Sequence, residues 1–271
     1  MSIKMIATDL DGTLMSPDHL TITERTKAAL KQAHDLGIRL ALCTGRPMCI
    51  IGDVVEQVPF VDYIIHSNGA SVYDRNNNKP VYESLIPNDV ACELIDFVLQ
   101  YEVSFDVTVN GESHLQKGTE VYFDSMIFPT EFIQSVSESM IAHDDLKAFL
   151  GGRGIEKITL YTVKDEDFDE LWSKIESKNL FVATSFKGNI EATSINADKG
   201  KALKGVCDSL GIEAREVMAF GDAGNDCPML EYALYSFAMG NATDECKSSA
   251  RFETDTNGED GVAVQIERYC L

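Results

Sequence analysis

The sequence predicts an α/β protein built on a doubly wound parallel sheet, with a second α/β domain inserted into it. Three observations predict this. Short apolar runs alternate with segments of helical period near both ends of the chain, the pattern of strand, helix and strand units stacked into one sheet. Each of those runs ends in a polar loop of Asp, Thr, Asn or Gly, as expected where the carboxyl ends of parallel strands meet a ligand. From residue 84 to residue 190 the pattern shifts to longer helices and alternating strands, so the chain divides into residues 1–83 with 191–271, and an insertion over 84–190.

Ile3 to Ala7 is the first candidate strand. Thr21 or Thr23 caps a helix in which Ala29, Leu30, Ala33 and Leu36 share a face, and Gly37 stops it. Ile38 to Cys43 reads as a second buried strand, Met48 to Val58 as a helical stretch, and Tyr63 to His66 as a third strand ending in Ser67-Asn68-Gly69. Arg75 to Pro80 is a polar turn ahead of the insertion. Inside the insertion, Asn88 to Tyr101 and Asp167 to Ser177 read as helices, and Phe105 to Val109, Lys157 to Val163 and Leu180 to Thr184 as strands. The insertion, about a hundred residues, holds a small core of its own and is expected to act as a lid. Lys199 to Leu210 then forms a helix behind Asn196 or Asp198, ended by Gly211, and Val217 to Phe220 and Tyr235 to Met239 return to the sheet.

Composition narrows the class of function. The 271 residues are 44% hydrophobic, enough for a real core, and carry a formal net charge of -21, so the averaged field repels nucleic acid and anionic membranes. No apolar run approaches the length that spans a bilayer, and no basic, apolar leader precedes the first strand, so a cytoplasmic protein is expected. The seven cysteines are scattered and never spaced C-x-x-C, which reads as reduced thiols, not a disulfide framework or zinc site. The five histidines show no metal-ligand spacing.

The chemistry sits in the loops. Asp9-Leu10-Asp11-Gly12-Thr13 places two carboxylates at positions that share a face in extended backbone, and Gly12 lets the chain turn sharply behind them. A carboxylate attacks phosphorus when a cation offsets the repulsion and a second acid protonates the leaving oxygen; Asp9 and Asp11 suit those two roles. Thr44 and Gly45 offer a hydroxyl and exposed N–H groups for phosphate oxygens, and Lys199 at a helix start offers an ammonium. Asp222, Asn225 and Asp226 follow a buried strand, and four converging acids call for a divalent cation, for which Mg²⁺, a hard ion preferring oxygen ligands, is the natural choice.

Asp9 to Leu14, Thr44-Gly45-Arg46-Pro47, Lys199-Gly200 and Gly221 to Asp226 together resemble the four motifs of the haloacid dehalogenase (HAD) superfamily, most closely its Cof-type branch with the YidA-type sugar phosphatases. The likeness spans the chain, including Ser67 to Ala70 and Glu259 to Ala263; the run Ile195 to Asp198 ahead of Lys199 is less typical of the third motif. The resemblance implies a Rossmann-like core over 1–83 and 191–271, and a C2-type cap over 84–190 that sets specificity. It further implies a Mg²⁺-dependent phosphatase with Asp9 as nucleophile and Asp11 as acid, then base. Mg²⁺ would be held by the Asp9 side chain, the Asp11 carbonyl and Asp222, with Asp226 in support. The phosphoryl group would rest on Leu10, Thr44, Gly45, Lys199 and Asn225. The expected substrate is a small phosphorylated metabolite, foremost a sugar phosphate, with cofactor phosphates open. Arg153, Lys157, Lys187 and Asn189 are cap residues that would touch a sugar or face water. A monomer or homodimer is expected. A phosphomutase uses the same acid pair, and a receiver-type phosphoaspartate module is the alternative outside enzymes, although it needs neither the second acid nor the insertion.

Overall fold

The computed structural model of the protein describes residues 3–125, 139–184 and 187–271. In chain order its strands are β1 (Met5–Asp9), β2 (Arg39–Cys43), β3 (Tyr63–His66), β4 (Ser71–Asp74), β5 (Lys79–Glu83), β6 (Phe105–Val109), β7 (Glu112–Gln116), β8 (Met140–His143), β9 (Lys157–Leu160), β10 (Leu180–Ala183), β11 (Ile190–Ser194), β12 (Val217–Gly221), β13 (Tyr235–Ala238) and β14 (Phe252–Glu253). The chain forms two compact units: Met1–Arg46, Ile51–Glu83 and Asp198–Leu271 in the first, Pro47–Ile50 and Ser84–Ala197 in the second.

The first unit is the doubly wound one. Its sheet runs β14-β13-β12-β1-β2-β3-β4-β5, parallel from β14 to β3 and antiparallel through the β4–β5 hairpin. Every residue of β1 is buried, as a parallel strand covered on both faces requires. On one face, Ala202, Leu203, Val206 and Cys207 of the helix Lys199–Leu210 pack with Met229 and Leu230 against Met5, Ala7 and Ala219. On the other, the helix Glu24–Asp35 lies beside Gly261–Tyr269, pinned at its surface by an Arg25–Glu267 pair at 2.7 Å. Caps define the helix starts. The Thr23 hydroxyl accepts from Thr26 N, and Asp198 accepts from Lys201 N, so these two residues rather than Thr21 and Asn196 hold the N-cap positions. Gly211, at φ 66°, closes Lys199–Leu210 in the left-handed conformation that glycine adopts freely.

The second unit is built on a different sheet, β10-β11-β9-β6-β7-β8, antiparallel except between β7 and β8. The helices Asn88–Val98, Leu146–Leu150 and Phe168–Glu176 bury Leu94, Ile95, Leu146, Leu150 and Leu171 against its apolar side. Several elements differ from the sequence reading. β11 pairs with β9 and β10, so the second unit reaches Ala197 and not residue 190. Met48 to Val58 is not one helix. A 3-10 turn at Met48–Ile50, ordered in part by Cys49 N donating to Gly111 O at 2.9 Å, belongs to the second unit, and a short helix Gly52–Gln57 follows in the first. β7 was not expected; Asn110 and Gly111, at φ 53° and 78°, form the two-residue turn that folds it onto β6. Among the described residues, no helix is long and apolar enough to cross a membrane.

Candidate active site

β1 ends at Asp9, whose register partner is Cys43 of β2, so the Asp9 side chain and the loop after Cys43 emerge at the same end of the sheet. β12, on the other side of β1, delivers Gly221 and the acidic loop behind it to that end as well. The four sequence-predicted loops therefore converge within the first unit.

Lys199 is the hub. Its ammonium, fully buried, donates to Asp9 Oδ1 at 2.6 Å and to Asp226 Oδ1 at 2.7 Å. Burial alone would strip the proton from a lysine; the Asp226 and Asp9 carboxylates reverse this and hold it firmly charged. Asp9 moves the other way: burial, then the nearby Asp226 and Asp222, raise its carboxyl well above the usual range against the pull of Lys199. Both Asp226 oxygens are occupied, one by Lys199 and one by the N–H groups of Asp222 and Ala223 at 2.9 and 3.1 Å. Asp226 thus fixes the loop, while Asp222, held through Thr13 Oγ1 at 2.8 Å, presents its second oxygen. Burial pushes the Asp222 carboxyl up to about 6, with the Thr13 hydrogen bond opposing.

The close approach of these loops depends on glycine. Gly12 sits at φ 80°, and a Cβ there would lie 2.4 Å from Asp222 Oδ2. At Gly221 a Cβ would meet that of Asp226 at 2.4 Å.

A cation fits this constellation on the chemistry of its donors. Oxygen atoms of Asp9, Asp222 and Asp226 lie within 4.8 Å of one another, all hard carboxylate ligands, with the single Lys199 charge set against three acids. Asp226 has both oxygens engaged in hydrogen bonds, whereas Asp9 and Asp222 each have one oxygen that makes no hydrogen bond among the described residues, so these two are the readier ligands.

Asp11 is placed differently from its neighbour. Its carboxylate accepts from Arg46 Nε at 2.8 Å and Nη2 at 2.5 Å, with His19 Nδ1 at 3.4 Å. Partial burial opposes ionisation there, but Arg46 outweighs it and lowers the carboxyl. Arg46 had no role in the sequence reading, although it follows Thr44-Gly45 at a strand end; its own N–H donates to the Thr44 hydroxyl at 3.0 Å. Asn225 donates to Asn68 Oδ1 at 3.0 Å, and Asn68 N donates to Thr44 O, which ties the second-strand and third-strand loops together. Gly45 packs against Asn68, and Leu10 is wholly buried, so only its backbone is available to a ligand. Thr13, Asn68 and Asn241, which donates to Gly12 O at 2.8 Å, also shape the site and were legible only as loop polars.

The model of the haloacid dehalogenase-like hydrolases matches residues 6–266. The chain belongs to that family. Its relatives in the haloacid dehalogenase-like group include a Bacillus subtilis protein named 5-amino-6-(5-phospho-D-ribitylamino)uracil phosphatase. That protein is 31% identical over 272 residues, covering 100% of this chain and 97% of the other. A second B. subtilis relative, named a phosphatase, is 30% identical over 98% of this chain and 99% of its own. Among solved structures, a haloacid dehalogenase-like hydrolase from Bacteroides thetaiotaomicron matches with a TM-score of 0.83 at 26% identity, over 98% and 99% of the two chains. The resemblance read from the four motifs and the doubly wound core are both upheld by these matches.

Proposed function

We propose that this chain is a Mg²⁺-dependent phosphatase that hydrolyses small phosphomonoesters, foremost sugar phosphates, through an aspartyl phosphate on Asp9. The observation that carries the reading is the Lys199 ammonium shared by Asp9 and Asp226. It orients the nucleophilic carboxylate and leaves a fixed positive charge where phosphoryl oxygens would gather. Asp9 and Asp222, with the Asp11 carbonyl, would hold the metal, which when bound neutralises charge on the transferring phosphoryl group. Thr44, Gly45, Asn225 and the Leu10 backbone would complete the phosphoryl cradle.

Asp11 would protonate the leaving oxygen and then take the proton of the attacking water. Paired with Arg46 it is ionised, the state suited to the second step. The first step calls for the carboxyl to exchange Arg46 for the substrate's bridging oxygen and to carry a proton there. The second unit would act as the family's cap and set specificity. The relatives named as phosphatases of a ribitylamino-uracil phosphate support a phosphorylated polyol or sugar as substrate class. The charge of -21 and seven free cysteines support a cytoplasmic setting without nucleic-acid partners; a monomer or homodimer remains part of the proposal.

Phosphate release from a panel of sugar and cofactor phosphates, with Mg²⁺ and with EDTA, tests this reading. Metal-dependent release that Asp9→Asn abolishes is expected. No release from any ester, or release only with a bisphosphate activator, would favour a mutase or a binding role.

A further inference from the structure

Two asparagines outside the acidic cluster grip the turn that follows β1. Leu10–Leu14 form one wide turn, with Gly12 at φ 80° and Met15 N donating to Leu10 O at 2.9 Å. Asn241, in the loop after β13, donates from Nδ2 to Gly12 O at 2.8 Å. Its Oδ1 accepts from Asn257 N at 3.0 Å, and Asn257 Nδ2 donates in turn to Met15 O at 2.9 Å. The pair therefore holds the turn both at Gly12 and at its exit.

The loop that carries Asn241 also holds the other half of the cation site. Met239 N donates to Gly221 O at 3.0 Å and Thr243 N to Asp222 O at 2.9 Å, so Asn241 lies between two backbone bonds to the segment bearing Asp222. Asn257 has support of its own. Thr256 Oγ1 donates to Glu259 Oε2 at 2.8 Å and Gly261 N to Thr256 O at 3.1 Å, which closes the chain around Asn257 and gives the run from Glu259 a task that the four loops leave open.

Gly12 explains why such a grip is needed. A Cβ there would strike Asp222, yet without one nothing steric keeps the residue at positive φ. The Asp11 carbonyl belongs to the peptide entering Gly12 and the Gly12 carbonyl to the peptide leaving it, so anchoring the second restrains the first. On the reading that Asp9, Asp222 and the Asp11 carbonyl hold Mg²⁺, we infer that Asn241, backed by Asn257, is a positioning residue that fixes the Asp11 carbonyl relative to Asp222 before the cation arrives. It acts through Gly12 and the turn. Asn241 is exposed, so its hydrogen bond adds little to the stability of the metal-free fold.

The test titrates Mg²⁺ into the full chain by calorimetry, without substrate, for the parent, Asn241→Ala, Asn241→Asp and Asn257→Ala, with metal-free melts of each. Asn241→Ala should raise the Mg²⁺ Kd by about tenfold or more and Asn257→Ala by about threefold, with metal-free melting temperatures within about 3 °C of the parent. Asn241→Asp is the sharper variant: it keeps the acceptor for Asn257 N and loses the donor to Gly12 O. Its added negative charge would by itself tighten a nearby cation, so weaker Mg²⁺ binding supports positioning and tighter binding overturns it. In turnover, the Mg²⁺ concentration for half-maximal phosphate release should rise by about tenfold in Asn241→Ala while kcat at saturating Mg²⁺ stays within about threefold. A Kd that does not move overturns the inference, and a lowered metal-free melting temperature with an unmoved Kd leaves Asn241 a structural role only. Calorimetry also separates this inference from the reading beneath it. A parent that binds Mg²⁺ and releases no phosphate, with Kd raised in the variants, keeps the positioning role and overturns the phosphatase; metal-dependent release with an unmoved Kd does the reverse. A parent that binds no Mg²⁺ overturns both the positioning role and the metal dependence.

Discussion

The two units treat buried polarity in opposite ways. In the first, the buried charges are locked to one another: Lys199 to Asp9 and Asp226, Asp226 to two backbone N–H groups, Asp222 to Thr13. In the second, the hydroxyls of Thr108 and Thr193 are buried on one sheet face and make no hydrogen bond among the described residues. A site that must stabilise moving charge gains from groups fixed before the substrate arrives, as those of the first unit are. The parallel sheet brings such groups together at its strand ends, whereas the antiparallel sheet lays alternate side chains over a broad face.

The contrast is most sharply tested by removing its central groups. Asp9→Asn should lower phosphate release by about a thousandfold or more while leaving the melting temperature unchanged or higher, because one of three crowded acids is gone. Phosphate assays and thermal melts on the same preparation check both halves; a variant that keeps its activity would place the nucleophile elsewhere. Lys199→Met should cost roughly 3–5 kcal/mol in urea unfolding without added metal, since it strands two buried carboxylates. A cost near zero would mean that the cluster is far less buried than the fold indicates.

A gentler comparison uses the metal. Mg²⁺ at about a hundred times its Kd should stabilise the parent by roughly 2.7 kcal/mol, and Asp222→Asn should erase most of that gain, as read by melting with and without Mg²⁺. An equal Mg²⁺ effect in the variant would remove Asp222 from the ligand set. The smallest effect belongs to the second unit. Asp106 faces Lys157, Tyr161, Glu191 and Cys49, and its carboxyl is raised to about 7 from an unfolded value of about 3.9. Between those values the folded chain holds a proton that the unfolded chain has lost. This contribution is therefore complete below about pH 4 and falls away as pH rises to about 7. Relative to Asp106→Asn, the parent should lose about 3 kcal/mol over that window, measured by urea midpoints at both ends. A difference that does not vary with pH would mean Asp106 is ionised throughout.

Much of the first unit was legible because its signals are local. A helix such as Lys199–Leu210 announces itself through apolar spacing, an Asp cap and a terminal glycine, and the strands β1, β2 and β12 are apolar runs with polar ends. The acid pair, Lys199 and Asp222 could be singled out for the same reason. Arg46 could not, because its partner Asp11 lies thirty-five residues away and nothing local says which carboxylate an arginine will meet. β11 escaped because its five residues mix Ile190, Ala192 and Ser194 with polar positions, and only pairing to β9 and β10 gives that alternation a meaning. β7 escaped despite a strong cue: Asn110-Gly111 is the sequence signature of a two-residue hairpin turn.

Asp9 and Lys199 are 190 residues apart, and β1 lies between β2 and β12, whose pairing begins at Val217. On a ribosome, β1 is made early but keeps one open edge until most of the chain has been synthesised. During that interval it is a strand without its second neighbour, and the nucleophile has no counter-charge. Chemical competence is therefore a late event in the life of each molecule, reached only when the final third of the chain closes against the first ten residues.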